Sequence, residues 1–188
     1  MAQLDALATR LPGDPAIDQL RAELQALSDE VQLLRAAIGC DPVTGVPNRR
    51  MLDDALRREV ARVRRTGEPL SVVLLDLDRF ESFAALNGEA AGDQLLRAAA
   101  EAWTSLVRAS DLVARCGPSA FAVVLPGAPL QPAAALSERL RCVMPEDATA
   151  SAGVAQLQPG EDAPALLSRA AAALRAAKAA GLDRVSVA

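Results

Sequence analysis

The chain has 188 residues, 51% of them hydrophobic and 23% charged, with a formal net charge of −4, which allows one ordinary domain with its own core plus an appendage. That acidic balance, with only Phe80, Phe83, Trp103 and Phe121 aromatic, argues against a nucleic-acid polymer as partner, because such a partner needs a basic face and stacking platforms. The absence of histidine excludes imidazole bases, His-containing zinc sites and His triads, so any metal chemistry would fall to carboxylates and favour magnesium or calcium.

The first forty residues read as a helical stalk. Leu4, Leu7 and Leu11 can seed an irregular helix, which breaks at Pro12-Gly13-Asp14-Pro15. There Asp14 is placed to cap a new helix and Pro15 to occupy its first position. Apolar residues then fall at Ile17, Leu20, Leu24, Leu27, Val31, Leu34 and Ile38, alternating three and four apart, which is a heptad seam. Ile17, Leu24, Val31 and Ile38 occupy one seam position and leucine occupies every other, a pattern that favours a parallel pair. The stalk is therefore expected to form a homodimer, with packing on its own domain as the alternative.

A turn-rich junction, residues 40–48, separates this stalk (1–40) from a globular part (41–188). Asp41, Asn48 and Arg50 are expected to lock the two together rather than touch a ligand. Asn48 can cap a helix running to Thr66 before Gly67. Residues 71–76, Ser-Val-Val-Leu-Leu-Asp, read as a strand buried on both faces, and a helix is expected over 92–107. Residues 112–116 and 121–125 form a hairpin around Gly117. A helix over 131–143, a strand over 148–155, an Ala-rich helix over 163–179 and an edge strand at 185–187 complete the pattern, an α/β fold with a mixed sheet of about five strands flanked by helices. Cys40, Cys116 and Cys142 lack CxxC spacing and are expected to be free buried thiols. No apolar run approaches about 18 residues and no signal-peptide pattern opens the chain, so no membrane span and a cytoplasmic location are expected.

Chemistry concentrates at two places. Asp76 and Asp78 end the central strand, where α/β sheets bind ligands. Two carboxylates on adjacent strands could bridge a magnesium ion to a triphosphate, but the hairpin turn Gly117-Pro118-Ser119-Ala120-Phe121 offers no acid. Upstream of that turn stand Arg108 and Asp111. Arginine presents a planar fork to guanine O6 and N7 or to a phosphate, and aspartate can accept from guanine N1–H and the exocyclic amine. Their structural alternative is a pair of solvated residues ending a helix, and the cluster Arg62, Arg64, Arg65 reads as a solvated helix end.

In order, residues 41–50 (Asp-Pro-Val-Thr-Gly-Val-Pro-Asn-Arg-Arg), 75–80 (Leu-Asp-Leu-Asp-Arg-Phe), Ala91-Gly92-Asp93, the hairpin, and Ala177-Lys178-Ala179-Ala180-Gly181 resemble the landmarks of the GGDEF diguanylate cyclase family over about residues 41–188. The resemblance implies a nucleotide-cyclase-like domain that, in active members, joins two GTP molecules into cyclic di-GMP across a dimer. It implies that Asp76 and the third position of the turn hold magnesium, and here that position is Ser119. Pro118 at the second position removes a backbone N–H and fixes φ, and Ala120 replaces the fourth residue. The family's guanine-binding asparagine falls on Ala84, although its partner acid remains as Asp93. Lys178 matches the phosphate-binding lysine, while the arginine four residues on is Leu182.

Asp76, Asp93, Lys178, Gly117 and Ser119 are thus expected to form a vestigial substrate site, with no catalysis, bound metal or cofactor. Arg108 and Asp111 fall on the family's RxxD motif for the product, and Arg139 falls on a further arginine of that site. The resemblance implies a cyclic di-GMP receptor that signals through its stalk or through an unidentified protein partner. The alternatives are a dimerisation or scaffold module with a vestigial RxxD, and a domain with residual GTP binding or cyclase activity.

Overall fold

The computed structural model describes residues 15–144 and 148–188, with side chains excepted at 15–17 and 32–38. The chain divides into a unit ending at Ile38 and a unit spanning Gly39–Ala188. In the first, helix α1 (Pro15–Ile38) exposes Leu20, Leu24, Leu27 and Val31. These are the four seam residues whose side chains are described. The expected helix at Leu4, Leu7 and Leu11 and the Asp14 cap lie outside the described residues, as do the side chains of Ile17, Leu34 and Ile38.

The second unit begins with α2 (Arg49–Thr66), bounded as its sequence signals require. The Asn48 side chain accepts from the Met51 N–H, and Gly67 takes the left-handed conformation at φ 72°. Leu52, Leu56 and Val60, four apart, fall on one face and are buried. Then follow β1 (Leu70–Leu77), α3 (Phe80–Asn87), α4 (Glu89–Leu106), β2 (Leu112–Arg115), β3 (Ala120–Pro126), α5 (Leu130–Cys142), β4 (Ala150–Gln156), α6 (Ala163–Ala179) and β5 (Val185–Val187).

The strands form one sheet in the order β2-β3-β1-β4-β5. β1 lies antiparallel to both β3 and β4, and β4 pairs in parallel with β5. This is the mixed five-stranded α/β sheet the pattern predicts. Central placement explains the unbroken apolar run of β1, because helices cover both faces. On one face Val73, Leu75 and Leu77 meet Leu96, Ala99 and Trp103 of α4 and Leu140 of α5. On the other, Leu70 and Val72 meet Leu52 and Leu56 of α2 and Leu166 and Ala170 of α6. Trp103 anchors the first core by donating its indole N–H to the Leu140 carbonyl at 2.9 Å and meeting the Phe121 ring edge-on, centroids 4.9 Å apart.

Two expectations need correction. The helix expected over 92–107 begins earlier, at Glu89, and is preceded by α3. That helix has eight residues, none of them fully buried, with Phe80 and Phe83 packing partly against the core, and it is shorter than the window of about 11 residues over which an apolar period is read. Its join to α4 is Gly88, at φ 89°. The three cysteines are free, but they are not uniformly buried: Cys142 is exposed at the end of α5, and Cys40 and Cys116 are half-buried.

Candidate functional site

The α4–β2 connection places the predicted Arg and Asp. After α4 stops at Leu106, Val107 turns extended and residues 108–111 close a tight turn in which the Asp111 N–H donates to the Arg108 carbonyl at 2.9 Å. The Asp111 carboxylate reinforces it, accepting from the Arg108 N–H at 3.0 Å and from the Ser110 hydroxyl at 3.2 Å. Arg139, 28 residues further on, comes from α5. Arg108, Asp111 and Arg139 line one cavity of about 440 Å³ whose apolar wall includes Leu106, Leu125 and Leu136. Neither guanidinium has a hydrogen bond or ion pair among the described residues. Two planar cations, a carboxylate and an apolar wall in a cavity of this size form a site for a small anionic ligand with a flat polar edge. A second cavity of about 380 Å³ shares Arg108 and Asp111 and reaches Gly45, Val46 and Pro47 of the junction.

The other predicted site gathers at the C-terminal end of β1. Asp76 pairs across the sheet with Ala120 and Ser151, which brings it beside the hairpin turn. Its Oδ1 accepts from the Ser119 hydroxyl and its Oδ2 from the Lys178 ammonium, each at 2.7 Å. Asp78, one residue past the strand, is held apart from that cluster. It accepts from the Thr149 hydroxyl at 2.8 Å, the Ser151 hydroxyl at 2.7 Å and the Asp183 N–H at 3.0 Å. Asp93 pairs with Arg97 at 3.4 Å, and the Ala84 methyl lies 3.3 Å from where a Cβ on Gly92 would project. A small residue at 84 thus suits the close approach of α3 to α4. Leu182 and Asp183 both adopt positive φ, 64° and 43°, so the loop after α6 stores strain where the Asp183 N–H meets Asp78.

The magnesium that the resemblance implies fails a test on these donors. Both Asp76 oxygens already accept from the protein, both Asp78 oxygens do too, and the turn supplies a hydroxyl where a hard dication prefers a carboxylate. Among the described residues no three acidic or thiol side chains converge on a point that could hold a metal.

Arg115 was not singled out by the sequence reading, yet it organises the turn. Its guanidinium bonds both Asp41 oxygens, at 3.1 and 3.3 Å, and the Gly117 and Pro118 carbonyls at 3.2 and 2.6 Å. The signal that could have found it is its position at the mouth of the hairpin, facing an acidic junction. Burial alone would raise the Asp41 carboxyl, but the Thr44 N–H and hydroxyl together with Arg115 outweigh it and hold the group below its ordinary range. Asp41 and Asn48 thus brace residues 40–48 within the Gly39–Ala188 unit, Asn48 also donating to the Cys40 carbonyl at 3.4 Å. Burial pushes the nearby Cys116 thiol up to about 11, partly opposed by Arg49. The largest cavity described, about 600 Å³, lies between α2 and α6 over Leu74 and Cys116. It contains none of the predicted site residues, and its rim cations are engaged, Arg49 with Asp53 and Arg57 with Asp54.

Comparison with known proteins adds three findings. The family profile described as "Diguanylate cyclase, GGDEF domain" matches residues 38–184. The diguanylate cyclase DgcP of Pseudomonas aeruginosa is 34% identical over 182 residues, covering 92% of this chain but 27% of that protein, so the chain spans about a quarter of its length. Two crystal structures superpose closely. One is the coiled coil and GGDEF domain of DgcB from Caulobacter crescentus in complex with c-di-GMP, at a TM-score of 0.77 and 30% identity, covering 92% of this chain and 97% of that one. The other is the diguanylate cyclase SiaD of Pseudomonas aeruginosa in complex with its activator SiaC, at a TM-score of 0.76 and 33% identity, covering 100% of this chain and 78% of that one.

Proposed function

The chain belongs to the GGDEF family, and from that premise we propose that it is a catalytically inactive member acting as a cyclic di-GMP receptor through Arg108, Asp111 and Arg139. The observation that carries the reading is the convergence of these three side chains, from two separate segments, on one cavity of about 440 Å³. Cyclic di-GMP presents two guanines and two phosphates. The two guanidiniums supply forks for guanine O6 and N7 or phosphate, and Asp111 supplies the acceptor for guanine N1–H. The DgcB structure, a complex with c-di-GMP on the same fold, supports the ligand assignment by likeness.

Loss of catalysis follows from the other cluster. Phosphoryl transfer depends on neutralising charge and on positioning. Here Asp76 is engaged by Ser119 and Lys178, the turn has no acid, and Leu182 stands where a phosphate-binding arginine is expected. Output passes through a stalk homodimer along Leu20, Leu24, Leu27 and Val31 or through a protein partner. SiaD, held with an activator protein, is a precedent for the latter.

Isothermal titration with cyclic di-GMP tests the reading. The unmodified protein should bind, and Arg108→Ala should remove at least about 1.4 kcal/mol, a tenfold loss in affinity. An unmodified protein that releases no heat sinks the receptor assignment, and cyclic di-GMP formed from GTP and magnesium sinks the inactivity. One observation favours a scaffold with a vestigial RxxD instead: Asp111 already holds its own turn through Arg108 N–H and Ser110. Under that reading Arg108→Ala leaves function intact.

A further inference from the structure

The end of β1 carries a closed charge balance of its own. Asp76 is reached by Ser119, 43 residues away, and by Lys178, 102 residues away, one partner for each oxygen and both at 2.7 Å. The ion pair is partly shielded, with side-chain exposures of 35% for Lys178 and 20% for Asp76. Asp78 is separately engaged, both its oxygens accepting from Thr149, Ser151 and the Asp183 N–H. A dication arriving here would have to strip the ammonium from Asp76 and lie close to it, with one carboxylate and a hydroxyl as its protein ligands. Repulsion from the ammonium opposes that exchange.

We propose that Lys178 is the built-in cation of this site: its ammonium takes the charge-neutralising place of a divalent ion, and the Ser119–Asp76–Lys178 triad ties the hairpin turn to the end of α6 without metal. The assignment rests on the substrate half being non-catalytic and is independent of the RxxD cavity, so it holds or fails whether or not cyclic di-GMP binds. A lysine expected to grip a substrate phosphate thus becomes an intramolecular counter-ion, because the turn no longer supplies the second acid that would keep metal at Asp76.

Thermal unfolding of the whole chain in chelator and in excess magnesium or manganese tests this. The unmodified protein should show the same midpoint in all three. Lys178→Met should lower the midpoint, and magnesium should restore it by a shift of about 2 °C or more, since a cation that binds only the folded state stabilises it by mass action. Adding Asp76→Asn to Lys178→Met should abolish that cation response, whereas Lys178→Arg, which keeps the charge, should remain indifferent to magnesium. The proposal is overturned by an unmodified protein whose midpoint rises with magnesium through Asp76, or by a folded Lys178→Met chain that gains no response. If Lys178→Met does not fold, the Arg variant decides: indifference supports the proposal and an acquired magnesium response overturns it.

Discussion

Single side chains differ here in whether they act locally or across the fold. Arg115 joins Asp41, 74 residues away, to the carbonyls of the turn, so it fixes a junction and a hairpin at once. With Arg115 and Thr44 holding the Asp41 carboxyl below its ordinary value, and Arg169 doing the same to Glu161, both groups bind protons more readily when unfolded. Their stabilisation is therefore complete above the ordinary carboxylate value of about 4 and is lost as pH falls through the lowered folded values. Asp41→Asn should cost about 1–3 kcal/mol at neutral pH and flatten the acid limb of stability against pH in chemical denaturation. An acid limb as steep as that of the unmodified protein would refute this role. The sequence displayed Asp41 as a junction residue but not its partner, because a contact across 74 residues has no local spacing to betray it.

At the scale of elements, the fit of α6 onto β4 shows why the strand Ala-Ser-Ala-Gly-Val-Ala-Gln is built from small residues. A Cβ at Gly153 would stand 2.2 Å from both the Ala170 carbonyl oxygen and the Leu174 nitrogen, which are helix backbone and cannot rotate aside. Gly153→Ala should therefore destabilise the domain by at least about 3 kcal/mol, the upper end for overpacking, measured as a drop in the urea midpoint. An unchanged midpoint would mean that the helix shifts freely. Most elements were legible because their caps and periods agree: Asn48 and Gly67 bound α2, and the hairpin strands flank Gly117. The helix α3 was not legible, since its eight residues span little more than two turns and none is fully buried.

For the whole molecule, the receptor proposal requires a route from the RxxD cavity to an output. The stalk seam is the proposed route, and its described residues Leu20, Leu24, Leu27 and Val31 are 37–58% exposed, a stripe that a second copy would cover. Under that proposal Leu24→Asp with Leu27→Asp should convert the protein from dimer to monomer in analytical ultracentrifugation. The Gly39–Ala188 unit should keep its far-ultraviolet spectrum and its cyclic di-GMP titration. A double variant that sediments like the unmodified chain removes the seam as the pairing surface. Among the described residues no helix is long and apolar enough to cross a membrane.

The sequence by itself determined the α/β fold, the order of its landmarks, the acid-free turn and the RxxD residues, because caps, hydrophobic periods and ordered motifs are local and survive without coordinates. Only the tertiary structure decided what those residues touch. It brought Arg108, Asp111 and Arg139 to one cavity, engaged Asp111 in its own turn, and gave Asp76 to Ser119 and Lys178. The physical reason is that a charge takes whichever partner the fold delivers within hydrogen-bonding distance, and that delivery depends on strand order and helix approach.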